Sequence, residues 1–295
     1  MKNPARGLLY SERLTGYALI LPLAIYFVIF QLSPMLIAFG ISFTDWNLRS
    51  APDFVGLQHY IELLTDRTKY PLFWSSLWIT LKYVLFSLPL GIFISLVLAA
   101  MLNADVKGEG FFKIAYYIPN VTAGAAVAAI WYFLLDPRFG LINSLTGWSI
   151  SWLDDIRFAL PSLAAMGIWT AVGYNVLILV SAMKNIPDDL YEAARVDGNT
   201  FVQQFFRITL PMTMPSIFFL IVTGLIGGFQ AFDQMYMMTK GGPSGSTTTY
   251  MYSLYDHAFK YFQIGTASAM SYILLLIILF ITWLNFKFIP QSYSD

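Results

Sequence analysis

Six apolar stretches, each long enough to cross a bilayer, constrain this chain more than anything else in it. They fall near 15–43, 73–102, 112–135, 160–183, 212–234 and 264–288. Each reaches the roughly 20 residues a helix needs to traverse a hydrocarbon core. Inside lipid the backbone N–H and C=O groups must be satisfied within the segment, so the stretches are expected as helices and the fold class as all-α. Composition points the same way. Of 295 residues 57% are hydrophobic and only 12% charged, with a mean hydropathy of +0.62, the balance of a polytopic membrane protein. The run from Tyr17 to Ile41 is too long for a signal-peptide core and lacks a small-residue cleavage site, so it is expected as an uncleaved first span. Pro22 and Pro34 in the first stretch, and Pro89-Leu90-Gly91 in the second, predict kinks. Gly124, Ala125, Ala126, Ala128 and Ala129 give the third a small-residue face for close packing.

Much chemistry is excluded at once. The chain has no cysteine, which removes disulfides, zinc-thiolate sites and thiol catalysis. His59 and His257 lie far apart in polar intervals, expected to be solvated or interfacial, and no HExxH is present, so no metal site is expected. Formal net charge is zero, so nothing points to nucleic acid. No GxxxxGK[ST] occurs, so ATP cannot be held and hydrolysed by a P-loop, and no cofactor is expected in this chain. Any energy the chain uses must therefore come from a partner or from an ion gradient.

The polar interval from Lys184 to Pro211 carries its own punctuation. Pro187 sits where a first helical turn tolerates a missing N–H, and Asp188 and Asp189 follow where the positive helix end favours acids. Leu190 to Asp197 reads as helix, ended by Gly198 in a left-handed conformation. Thr200 and Gln203 have capping-box spacing and start a second short helix, with Phe201, Val202, Phe205 and Phe206 bunched on one side. Pro211 is expected to close the unit. Two short helices hinged at a glycine, with exposed aromatics, suit either a plug for a groove on another protein or a plain surface connection between spans.

Glu192-Ala193-Ala194, then Asp197-Gly198, then Ile208-Thr209-Leu210-Pro211 resembles the EAA loop of permease subunits in ATP-driven importers. The IPDDLYEAA lead-in and the later MTKGGP are similar to the carbohydrate-uptake branch, in particular the first permease subunit of maltose-type importers. The resemblance covers nearly the whole chain. It implies a six-span, type I importer permease of the MetI-like kind, in the inner membrane of a bacterium or archaeon with both termini cytoplasmic. The loop at 184–211 would be the coupling helix, seated in a cleft of a separate ATPase. Glu192 and Arg195 would make ionic contacts there, Ala193 and Ala194 would allow close approach, Asp197 and Gly198 would make the turn, and Leu210 and Pro211 would end the motif. It further implies a second, similar permease, two ATPase subunits holding ATP and Mg, an extracytoplasmic solute-binding protein, and lipid around the spans. The corresponding divisions are a cytoplasmic segment 1–14, a first helix and external loop 15–72, a permease core 73–290 and a tail 291–295.

Basic residues favour the same orientation by a thin margin. With the N-terminus inside, nine Lys and Arg (Lys2, Arg6, Arg13, Lys107, Lys113, Lys184, Arg195, Arg207, Lys287) lie inside against seven outside. The outer intervals are aromatic, with Trp46, Phe54 and Tyr60, then Trp148 and Trp152, then Tyr250, Tyr252, Tyr255, Phe259 and Tyr261. Most of these are expected in an interfacial belt; the resemblance also implies a docking face for the binding protein. Gly241-Gly242-Pro243 and the following Ser244–Thr249 read as a polar loop.

Polar groups inside spans mark a substrate path. Gln230 and Asp233 are three residues apart and are expected on one face of the fifth span, with Gln234 beside them. Tyr174 and Asn175 interrupt the fourth. Planar polar groups and aromatic faces suit a sugar, which has an apolar face and a hydroxyl rim. Lys82 is expected to snorkel toward the outer surface. Counted without gaps from Glu192, Tyr174 falls on a tyrosine that lines the sugar site of the maltose-type subunit. Gly224, Gly228 and Ala231 fall where that relative has a serine and asparagines, which implies a roomier, less polar floor. The function implied is a permease subunit of a sugar or oligosaccharide importer, not an enzyme. A glycerol-phosphate importer, an ion-driven secondary transporter and a membrane scaffold remain as alternatives.

Overall fold

The structure, a computed structural model, describes residues 4–103 and 108–288, every regular element among them helical. Lys2, Lys107 and the tail 291–295 lie outside the described residues. The chain groups into two compact units.

The first unit takes residues up to Asp66 together with Asp256–Ile273. Helix α1 (Pro4–Phe27) passes through a single π-turn, Val28–Leu32, into α2 (Ser33–Ile41). The turn is marked by Ser33 N–H reaching the Val28 carbonyl, and Pro34, which has no N–H to give, follows it at the start of α2. From Leu14 to Ile41 the side chains are apolar and almost all exposed, the surface that lipid would cover. Helix α3 (Gln58–Thr65) carries His59, which is buried, contrary to the solvated position expected. Its Nε2–H donates to the Thr44 carbonyl at 3.0 Å, leaving Nδ1 to accept from Thr266 Oγ1 at 3.3 Å. A neutral imidazole can serve an acceptor and a donor at once, which suits a histidine to this position.

The second unit holds α4 (Pro71–Leu102), α5 (Glu109–Val121), α6 (Gly124–Leu134), α7 (Leu141–Thr146), α8 (Ile156–Lys184), α9 (Asp188–Val196), α10 (Phe201–Gln204), α11 (Leu210–Phe229) and α12 (Tyr250–Tyr255). The second half of α13 (Ile264–Phe288) also belongs to it. Helix α8 is the pillar, packed against α4, α5 and α11. Val172, Val176, Leu179 and Val180 of α8 meet Ile92 and Ala99 of α4 and Ile217 and Leu220 of α11 in one buried cluster. Asp155 caps the start of α8, accepting from the Arg157 backbone at 2.9 Å and from its guanidinium, which together pull its carboxyl down to about 2.

Among the described residues five helices are long and apolar enough to span a membrane, and a bent pair makes a sixth if counted as one. That pair corrects the third expected stretch, 112–135, which is not one helix. It breaks at Thr122 and Ala123, both extended, and α5 and α6 meet at 101°. Pro119 and the β-branched pair Val121-Thr122 weaken the last turn of α5 just before the break. The fifth stretch differs in the opposite sense. The helical run begins at Phe201 and continues to Phe229, so Pro211 does not close the hairpin. A π-turn at Phe205–Thr209, sealed by Leu210 N–H to the Phe205 carbonyl, opens the ladder where the proline lacks its donor.

Candidate functional site

Between α4, α8 and α11 lies a cavity of about 460 Å³. Tyr174, Asn175, Gly224, Gly228, Gln230 and Asp233, the six residues expected along a substrate path, all line it. They arrive there by a route the sequence does not give. Helix α11 stops at Phe229, Gln230 caps it, and the chain unwinds over 230–232 before turning again at Asp233. Gln230 and Asp233 therefore do not share a helical face; the unwound segment folds both into the cavity wall. Unwound backbone at membrane depth survives only where its carbonyls find donors. Here Thr249 Oγ1 donates to the Ala231 carbonyl at 3.1 Å.

That donor belongs to the segment expected as a polar surface loop. Thr247, Thr248 and Thr249 are instead buried. Their hydroxyls bond the Gly242, Gly241 and Ala231 carbonyls, and the Gly242–Pro243 bond is cis. Tyr250 follows, fully buried, its N–H donating to Thr80 Oγ1 at 2.8 Å and its ring against Phe73. Tyr250 and Tyr252 are core residues, not members of an interfacial belt.

The glycines of α11 are also reassigned. A β-carbon at Gly224 would collide with Leu88 Cδ1, and one at Gly228 would stand 2.8 Å from Val84 Cγ2. Their missing side chains let α4 close on α11, while both glycines still line the cavity. Gly227, with nothing near it, is the position that leaves open space. Sequence reasoning missed Tyr83, Asn120 and Thr170, which also line the cavity. Tyr83 is held by Gln234 Nε2 at 2.7 Å. The available signal was the same one used for Tyr174, a polar group interrupting an apolar run. Lys82, next door, lies over the Trp78 ring at 5.5 Å.

The hairpin at 184–211 forms largely as its residues dictate. Pro187 is the N-cap of α9, one position earlier than expected. Helix α9 ends in a full Schellman motif: Gly198, at φ +76°, donates to the Arg195 carbonyl at 3.0 Å, and Asn199 donates to the Ala194 carbonyl at 2.9 Å. Thr200 and Gln203 make the reciprocal capping box. Arg207 Nη1 to Asn199 Oδ1 at 3.0 Å and Tyr191 to Thr209 at 2.8 Å tie the two arms together. Glu192 and Arg195 approach only to 4.0 Å and both stay exposed, so their charges are weakly engaged. Ala193 and Asp197 are exposed, whereas Ala194 is buried. Phe201, Val202 and Phe206 are exposed, and Val196 is 87% exposed. Phe205 departs from that set and packs with Leu210 against the core cluster, while Pro211 lies at the surface.

Residues 87–291 match the model of the binding-protein-dependent transport system inner membrane component family. The chain belongs to that family. It is 38% identical to the probable ABC transporter permease protein YesP of Bacillus subtilis (strain 168), over 94% of this chain and 91% of that one. It is 31% identical to the sn-glycerol-3-phosphate transport system permease protein UgpA of Pectobacterium atrosepticum, over 94% and 95%. Among solved structures, a bacterial ABC transporter for import of the acidic polysaccharide alginate superposes with a TM-score of 0.80 at 23% identity, covering 98% of this chain and all of that one. The family member is thus a multi-pass inner-membrane permease of an ABC importer, the component distinct from the ATP-hydrolysing enzyme. Family membership also removes the ion-driven carrier and the scaffold left open by the sequence. Among the described residues no group of three or more His, Asp or Glu could hold a metal.

Proposed function

We propose that this permease forms half of the translocation pathway for a sugar or oligosaccharide and is driven through the hairpin at 184–211 by a separate ATPase. A second, similar permease supplies the other half. Two ATPase subunits, which hold ATP and Mg, lie on the cytoplasmic side with both chain termini, and a solute-binding protein delivers substrate from outside. Closure of the ATPases draws the hairpins together and rocks the bundle, so that the cavity opens alternately to the two sides.

The observation that carries this reading is the hairpin's construction. Its apolar Val196, Phe201, Val202 and Phe206 are exposed while the capping box, the Schellman turn and the Arg207–Asn199 and Tyr191–Thr209 bonds hold its two arms together. A unit so tied, yet apolar outward, is made to be covered. Its junction with α11 is continuous helix, so a push on α10 is delivered to the helix whose far end unwinds at Gln230. The cavity supplies the rest: the planar amides of Asn175 and Gln230, the Tyr174 ring and the Asp233 carboxylate are groups that bind hydroxyls and a pyranose face. The sugar class is further supported by the maltose-type loop sequence.

The test is uptake into vesicles carrying the full complex. Tyr174→Ala and Asp233→Ala slow uptake while the complex still assembles. Normal transport in both variants removes the cavity from the pathway.

A further inference from the structure

Among the described residues lining the cavity, Asp233 is the one acidic side chain, and no lysine, arginine or histidine occurs. Its other polar groups are neutral amides, hydroxyls and phenols, such as Asn120, Thr170, Asn175 and Gln230. Asp233 itself is exposed to the open space, not sealed behind packing. A carboxylate facing a concave cavity with no basic group in its described lining biases the potential there toward negative. Anionic recognition needs the reverse, since phosphate and carboxylate groups are bound by guanidinium forks, ammonium groups or helix N-termini. The N-terminus of α6, at Gly124, already lies against the Asp233 carboxylate itself. The backbone that meets the cavity at Gln230 is the C-terminal, electronegative end of α11.

We propose that Asp233 makes this cavity an anion-rejecting filter, so that the permease passes neutral polyhydroxylated substrates and excludes phosphorylated sugars and uronates. This deepens the translocation reading above and rests on it. Asp233 acts twice: it accepts hydrogen bonds from the hydroxyl rim of a neutral sugar, and it repels a second negative charge. Two like charges a few ångströms apart in such a cleft cost enough to favour the neutral substrate by a factor on the order of tenfold or more.

The chain has no cysteine, which gives a test independent of the natural substrate and of any selectivity in the binding protein. Thr223, on the cavity wall, is replaced by cysteine in the full complex with its partner subunits. Labelling rates are then measured with a cationic and an anionic methanethiosulfonate of similar size, each normalised to its rate with a free thiol. The cation is expected to react on the order of tenfold faster than the anion, and Asp233→Asn in the same background collapses that ratio toward one. A ratio that favours the anion, or one unmoved by Asp233→Asn, overturns the filter. Protection of Cys-labelling by a neutral disaccharide is read separately. Its absence counts against the translocation reading, whereas the charge ratio judges the filter alone. Lost labelling of both reagents would show that Thr223 is not reachable and would contradict the open cavity on which the filter depends.

Discussion

Asp233 rests so close to Gly124 that a β-carbon at position 124 would stand 2.7 Å from its Oδ2. Gly124 opens α6 immediately after the sharp break in the third apolar stretch, and Asp233 follows the unwound segment of the fifth. The two irregular points of the bundle therefore meet at the one acid among the described residues lining the cavity. Gly124→Ala displaces that carboxylate without touching its chemistry. Uptake is expected to fall about tenfold, the worth of one lost polar contact of about 1.4 kcal/mol, with assembly intact. Wild-type uptake in Gly124→Ala would show that the carboxylate's position does not matter.

Gly198 separates backbone strain from surface bulk. Its φ of +76° penalises any ordinary side chain by about 1–2 kcal/mol, yet nothing lies within 4 Å of it. Gly198→Asn, which tolerates the left-handed region, is expected to retain most transport. Gly198→Asp tolerates the turn equally but places a charge on the face proposed to dock, and is expected to abolish transport. The measurement is ATP hydrolysis by the co-purified complex, stimulated by the loaded binding protein; normal stimulation in Gly198→Asp would break the link between turn and motor.

Gly224 is expected to govern helix packing more than substrate contact. Gly224→Ser drives a side chain into Leu88 and lowers stability by about 1–3 kcal/mol, seen as a lower Tm in detergent. Leu88→Ala in the same chain recovers part of the loss, as coupled neighbours do. A serine tolerated without loss of Tm would return this position to the cavity floor.

Thr249→Val keeps the shape of a fully buried side chain and removes the hydroxyl that satisfies Ala231. The stranded carbonyl costs about 1–3 kcal/mol. Hydrogen exchange should then quicken around 230–234 and not in α8. Unchanged exchange there would mean that water or another donor already serves the carbonyl.

The sequence carried the parts of this molecule that obey local rules. Apolar length placed five spans, and Asp188, Gly198, Thr200 and Gln203 announced their own hairpin because caps and left-handed turns are decided within a few residues. What it concealed depends on contacts distant along the chain. Pro211 looked like a stop because its relief, the π-turn over Phe205–Thr209, is invisible in a propensity. Gln230 and Asp233 looked like helix neighbours because the donor that lets the chain unwind between them, Thr249, lies 18 residues from Ala231. His59 and Tyr250 looked like surface residues because their polar atoms are satisfied by Thr266 and Thr80, 207 and 170 residues away. The residues expected along a path do line one cavity, but by a geometry the sequence did not give.

The central claim is that the glycine-hinged hairpin docks on a cytoplasmic ATPase. Val196, almost wholly exposed on α9 of a cysteine-free chain, offers the most direct measurement. With Val196→Cys in the intact complex, a short bifunctional thiol reagent should join this chain to the ATPase subunit, and an impermeant thiol reagent added outside right-side-out vesicles should leave the position unlabelled. Labelling from outside, with no cross-link to the ATPase, would contradict the account.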